Sequence, residues 1–284
     1  MTRQPLLEVD ELVVAYPGRG FRVRATHVLD GVSLDVAAGE TVGLVGESGS
    51  GKTTLGRAVV GLAPVTRGAI RFDGCDIGSV SRAQRRELAQ HVQVVFQDPY
   101  SSLNPAMTIE QILMEPLITR KTGHAESARR VGDLLDQVKL PAGAGRRLPR
   151  EFSGGQRQRI AIARALALDP RLIVCDEPVS ALDLLTQARI LELFGEIQQR
   201  TGLAYLFISH DLAVVRHLSH RVAVLHQGRI IEWGDAEQVT TRPRHDYTRR
   251  LLLSAPLADP DRQAARREAR HAFLAAHAAD SKAS

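Results

Sequence analysis

The octapeptide Gly46-Glu47-Ser48-Gly49-Ser50-Gly51-Lys52-Thr53 fits the pattern G-x-x-x-x-G-K-[ST]. An apolar run precedes it and a helix-like run, "TLGRAVVGL", follows it. Gly46, Gly49 and Gly51 let the backbone curl so that its N–H groups face phosphate oxygens, and the helix start adds its dipole. Lys52 is placed to reach the β- and γ-phosphates of a nucleoside triphosphate, and Thr53 to hold Mg²⁺. The acid that such a site needs comes from "LIVCDEP", Leu172 to Pro178. Its apolar residues make a central strand, and Asp176 emerges at the carboxyl end, where open α/β sheets bind ligands. Asp176 is expected to act on Mg²⁺, directly or through water. Glu177 is expected to polarise the attacking water, because a base must stand beyond the γ-phosphate.

Other residues have two readings on spacing alone. His210 follows the apolar strand "LAYLFIS" and is either a γ-phosphate contact or a structural strand-end histidine. Gln97 ends "VQVVF" and is either a neutral ligand to Mg²⁺ and water or a loop amide. Tyr16 ends "LVVAY" and either stacks on a base or fills the core. Ser153, Gly154 and Gly155, in "EFSGGQRQRI", open a second helix whose first N–H groups have no partner within the helix. That second start is either an ordinary N-cap or a grip for a phosphate held by another subunit.

These residues need strands and helices to position them, and the sequence supplies both. "LLEVDELVVAY" and "HVLDGVSLDV" alternate as strands. "SRAQRRELAQ" carries Ser81 and Gln84 in capping-box spacing, which predicts a short helix. "DPYSSLNPAMT" reads as a turn-rich loop, and residues 108–167 read as helical throughout. "LAYLFISHD", "RVAVLHQG" and "RIIEWGD" are further strands. Strands apolar on both faces, alternating with helices, indicate an α/β fold with a doubly wound, mainly parallel sheet. The helical stretch is expected to be a subdomain inserted between two core strands. From about Thr240 the chain is basic and Ala-rich, with helical parts and a frayed end.

Composition narrows the class. The 284 residues, with 24% charged and a net charge of +5, suit a globular α/β protein with mild affinity for a polyanion or an anionic membrane face. Acids are interleaved with the arginines and only 4% of residues are aromatic, which argues against a nucleic-acid partner. Cys75 and Cys175 have no metal or disulfide spacing, which fits a reducing compartment. "MTRQPLLEVDELVV" lacks the pattern of a signal peptide, and no apolar run is long enough to span a bilayer. The expectation is a peripheral subunit if the protein works at a membrane.

In this order the motifs resemble those of the ATP-binding subunit of an ABC transporter, over nearly the whole chain. The resemblance implies a P-loop NTPase fold with an N-terminal antiparallel β-subdomain and a cassette over residues 1–240. The helical subdomain would span roughly 100–168, and 241–284 would be a C-terminal extension. It implies ATP and Mg²⁺ as ligands. ATP would be bound by Tyr16, Gly46, Glu47, Ser48, Gly49, Ser50, Gly51, Lys52, Thr53 and Thr54. The metal would be held by Thr53, Gln97 and Asp176, with Glu177, His210 and Gln97 as catalytic residues. Ser153, Gly154, Gly155 and Gln156 would form a signature that binds the γ-phosphate on the opposite subunit, with Asp183 in the D-loop.

A narrower resemblance lies in "GETVGLVGESGSGKTTLGR", "FQDPYSSLNPAMTI" and "HDYTRRLLLSAP". These are similar to the dipeptide/oligopeptide/nickel importer branch, and within it to the second of two paired ATPase subunits. Asp246 stands where the branch usually has proline, and Phe152 where many relatives have leucine. No cysteine follows Cys175, so the C-terminal iron–sulfur cluster of some paired subunits has no ligands here. The branch implies two permease subunits, a sister ATPase forming a heterodimer, an external substrate-binding protein, and a place on the cytoplasmic face of the cell membrane. Peptides, nickel chelates and glutathione-like compounds stay open as substrates. A rival class, the soluble non-transport ABC ATPases, has long coiled-coil insertions or two cassettes, whereas this chain shows one cassette and no heptad run.

Overall fold

The computed structural model describes residues 4–17 and 26–254. Strands β1 (Leu7–Tyr16), β2 (Thr26–Val36), β4 (Arg67–Phe72) and β5 (Cys75–Asp76) form an antiparallel four-stranded sheet, ordered β2-β1-β4-β5. A six-stranded sheet is ordered β10-β9-β3-β8-β7-β6. Its members are β3 (Thr41–Val45), β6 (Val92–Val95), β7 (Leu172–Asp176), β8 (Ala204–Ser209), β9 (Arg221–His226) and β10 (Arg229–Asp235). All neighbours in it are parallel except β9 and β10.

Every residue of β3, β7 and β8 is buried, which is why these strands read as unbroken apolar runs. Alternate side chains serve two cores. Leu172, Val174, Leu206 and Ile208 pack with helix α1 (Lys52–Val59) and the antiparallel sheet. Ile173, Cys175, Tyr205 and Phe207 pack on the opposite face with most of the other helices. There α7 (Leu184–Thr201) is pinned by Phe194, whose ring meets Tyr205 and Phe207 edge-on at 5.4 and 5.7 Å.

Between β6 and β7, adjacent strands in register Val92↔Leu172, the chain makes its helical excursion. It contains α3 (Pro99–Ser102), α4 (Ile109–Thr119), α5 (His124–Gln137) and α6 (Gly154–Leu166). Helix α2 (Arg82–His91) precedes β6, and α8 (Leu212–Leu218), α9 (Ala236–Thr241) and α10 (Asp246–Ser254) complete the fold. The capping box expected at α2 is present: Gln84 N–H donates to Ser81 Oγ at 3.3 Å and Ser81 N–H to Gln84 Oε1 at 2.9 Å.

Two stretches differ from what the sequence predicts. The "DPYSS" stretch is a short helix and not a loop, because Asp98 caps it by accepting from Tyr100 N–H at 2.8 Å and Pro99 occupies its first position. The strand expected to reach Gln97 stops at Val95. Residues 255–284, which hold most of the basic tail, lie outside the described residues.

Candidate functional site

The pairings Val45↔Ser209, Asp176↔Ile208 and Val95↔Cys175 align the carboxyl ends of β3, β8, β7 and β6. The glycine loop, Glu177, His210 and Gln97 therefore leave the sheet along one edge. Gly51 joins this loop to α1 at φ +109°, and a Cβ there would lie 2.7 Å from Leu29 Cδ2, so only glycine fits. Ser50 N–H donates to the Glu47 carbonyl at 3.2 Å, closing a turn. Lys52 is buried, and its Nζ donates to the carbonyls of Gly46 and Glu47 at 2.8 and 2.9 Å. Burial holds its pKa below the usual lysine range, against the opposing pull of Glu177, Asp176 and Glu47. Ser50 Oγ is buried with no partner among the described residues, an orphan that a phosphate oxygen would satisfy.

Thr53 Oγ1 donates to Asp176 Oδ1 at 3.0 Å, so α1 and β7 meet through the two proposed metal ligands. Burial raises the Asp176 carboxyl, partly offset by the Thr53 hydroxyl, and Glu177 adds to the rise. A hydroxyl beside a carboxylate is hard-oxygen chemistry that suits Mg²⁺. One residue on, Glu177 has a left-handed backbone, φ +49°, rare for a side chain of its size. Its N–H is tied to the Ile208 carbonyl at 3.0 Å, and its own carbonyl accepts from Ser180 Oγ at 3.1 Å. His210 Nδ1 lies 3.1 Å from Glu177 Oε2, which orients that carboxylate. His210 is thus a strand-end histidine whose partner is the candidate base.

Gln97 is exposed beyond β6, and among the described residues no hydrogen bond joins it to the Thr53–Asp176 pair. Tyr16 is exposed at the end of β1. The "SGG" segment starts α6 with a capping box: Gln156 N–H donates to Ser153 Oγ at 3.3 Å and Ser153 N–H to Gln156 Oε1 at 3.0 Å. The basic residues after it turn away from phosphate duty. Arg157 donates to the carbonyls of Pro149 and Arg150 and stacks over Tyr100, 3.8 Å from its ring centroid. Arg159 donates to the carbonyls of Val138 and Lys139. Asp183 caps α7, accepting from the N–H and hydroxyl of Thr186 at 3.0 and 2.7 Å.

No sequence pattern pointed to the Arg157–Tyr100 stack, which ties the segment after Gln97 to α6. Nor did one point to Tyr247, whose hydroxyl accepts from Glu47 N–H at 2.9 Å. The "HDYT" quartet was the available signal, but nothing in its spacing points to a loop 200 residues earlier.

The arrangement is that of a P-loop nucleotide-binding protein. The sequence pattern of the ABC transporter family matches residues 29–180, and the chain belongs to that family. It is 52% identical over 262 residues to a putative peptide import ATP-binding protein of Brucella ovis, covering 92% of this chain and 82% of that protein. It is 48% identical over 265 residues to a glutathione import ATP-binding protein of Pectobacterium atrosepticum, covering 92% of this chain but 42% of that longer protein. Among solved structures it resembles a dimeric ATP-binding cassette in a post-hydrolysis state bound to ADP and Pi. The TM-score is 0.72 at 27% identity, over 81% of this chain and 98% of that one.

Proposed function

We propose that this chain is the ATP-hydrolysing subunit of an importer that takes up peptides or peptide-like solutes. The observation that carries this reading is the sheet edge where the Thr53–Asp176 pair stands one residue from the Glu177–His210 pair. The glycine loop and Lys52 would bind the triphosphate, with Tyr16 against the adenine. Thr53, Gln97 and Asp176 would hold Mg²⁺, which when bound neutralises charge on the β- and γ-phosphate oxygens. Glu177, held by His210, would accept a proton from the attacking water. The names of the relatives support the import of peptides or glutathione.

We assign residues 1–240 to the cassette, roughly 100–168 to its helical subdomain and 241–284 to an extension. A groove between β6 and the helical subdomain, lined by Phe96, Leu103, Pro116 and Arg164, would receive the permeases. Two permease subunits, a sister ATPase and an external binding protein would complete the transporter, with this chain peripheral at the cytoplasmic face of the membrane. Among the described residues no helix is long and apolar enough to cross a membrane.

The test is Glu177→Gln in the assembled transporter, compared with Lys52→Ala. Glu177→Gln should keep MgATP binding yet lose about 10²–10⁴-fold in ATPase turnover, and closed dimers should accumulate. Lys52→Ala should weaken binding itself. Near-normal turnover by Glu177→Gln would remove the proposed base.

A further inference from the structure

Glu47 is the residue whose carbonyl receives Lys52 Nζ at 2.9 Å and Ser50 N–H at 3.2 Å. Its N–H is held as well, by the hydroxyl of Tyr247 on α10 at 2.9 Å. Tyr247 is 2% exposed, and its ring lies against His226, centroids 3.9 Å apart at 35°. The helix that carries it is fixed from behind. Glu232 on β10 accepts from the N–H groups of Arg244 and His245 at 2.8 and 3.1 Å, and His245 Nδ1 accepts from Tyr247 N–H at 3.1 Å. The hairpin between β9 and β10 grips the same loop elsewhere, Gly228 N–H donating to the Ser50 carbonyl at 3.0 Å.

A buried phenol is a costly way to fill apolar space, because its hydroxyl must be stripped of water. Phenylalanine would pack the same ring against His226. What the oxygen adds is a fixed acceptor for one phosphate-loop amide. We propose that Tyr247 is a positioning residue of the nucleotide site, through which helix α10 holds the phosphate loop in its binding shape. The inference rests on the glycine loop being the ATP site. Tyr247 touches no substrate. It acts through Glu47, and through that peptide on the carbonyl that orients Lys52.

Preorganisation of this kind shows in affinity more than in turnover. Loss of one buried neutral hydrogen bond corresponds to about a 3- to 10-fold change. In the assembled transporter, Tyr247→Phe should raise KM for ATP by about that factor and leave kcat within about twofold. Hydrogen exchange at the Glu47 amide should quicken by a similar factor. A second measurement needs no variant. By linkage, MgATP bound to the wild-type chain should slow amide exchange along α10. An unchanged KM with unchanged Glu47 exchange would overturn the proposal. If Tyr247→Phe did not fold, unaltered α10 exchange on MgATP binding would overturn it instead. Wild-type chain that bound no MgATP would overturn the ATP-site reading and this inference with it, an outcome distinct from either of the others.

Discussion

An added Cβ at Gly155 would lie 2.3 Å from Thr186 Cγ2, whereas at Gly154 the nearest atom, Leu182 Cδ2, is 3.5 Å away. Thr186 has little freedom to move aside, since its N–H and hydroxyl both donate to Asp183. Replacing a helical glycine by alanine otherwise gains up to about 1 kcal/mol, while forced overlap costs about 1–3 kcal/mol. Gly155→Ala should therefore destabilise the chain by about 1 kcal/mol or more, and Gly154→Ala should be neutral or mildly stabilising. Thr186→Ser removes the clashing methyl and keeps the hydroxyl, so the double variant should recover most of the loss. Urea denaturation of the four forms checks this, and additive effects with no coupling would sink the argument. The pair of glycines was legible as a helix start. That the second one also makes room for α7 was not, because the clash lies between residues that no local pattern connects. Lys52, Asp176 and Glu177 were legible for the opposite reason: loop chemistry and strand ends leave their own marks in the chain.

Helix α10 is an element whose docking depends on one carboxylate. Glu232 is buried, and burial alone would raise its pKa, but the Arg244 N–H, the Thr248 side chain, the His245 N–H and the Gln238 side chain together outweigh that and leave it below the ordinary glutamate range. A depressed carboxylate contributes stability that is present above the unfolded pKa and lost as pH falls through the folded one. Glu232→Gln should thus cost about 1–2 kcal/mol near pH 6. The difference from wild type should shrink as pH drops below roughly 4.3. Urea midpoints for both forms between pH 3 and 6 measure it, and a pH-independent gap would show that the charge contributes nothing. At this scale the sequence spoke clearly wherever an element carries its own period or cap, as with the Ser81–Gln84 box or the buried runs of β7 and β8. It spoke less clearly at residues 96–102. There Pro99 reads as a turn, and only Asp98 as an N-cap turns it into a helix start.

In the whole molecule the two helix starts pack on different elements. Helix α1 packs on β2, β7 and β8, while α6 packs on α3, α4, α5, β6 and α7. Beside the α6 start, Leu184 and Leu185 are 73% and 75% exposed, an apolar pair of the kind that marks a contact surface. The capping box uses Ser153 Oγ within its own helix, so the free first-turn N–H groups are what α6 offers a phosphate. If they serve a nucleotide held by another subunit, Ser153 adds little to this chain's own ATP affinity. Ser153→Arg should then leave nucleotide binding by the isolated chain within about threefold, under about 0.7 kcal/mol. In the assembled dimer the same change should abolish hydrolysis at the site whose phosphate loop belongs to the partner, because the long cation would occupy the γ-phosphate position. Lys52→Ala, acting on the loop itself, should weaken both. ATP affinity on the isolated chain and ATPase activity on the full transporter separate the two variants. If Ser153→Arg impaired binding by the lone chain as severely as Lys52→Ala, the second helix start would be serving its own nucleotide, and the head-to-tail dimer would have to be given up.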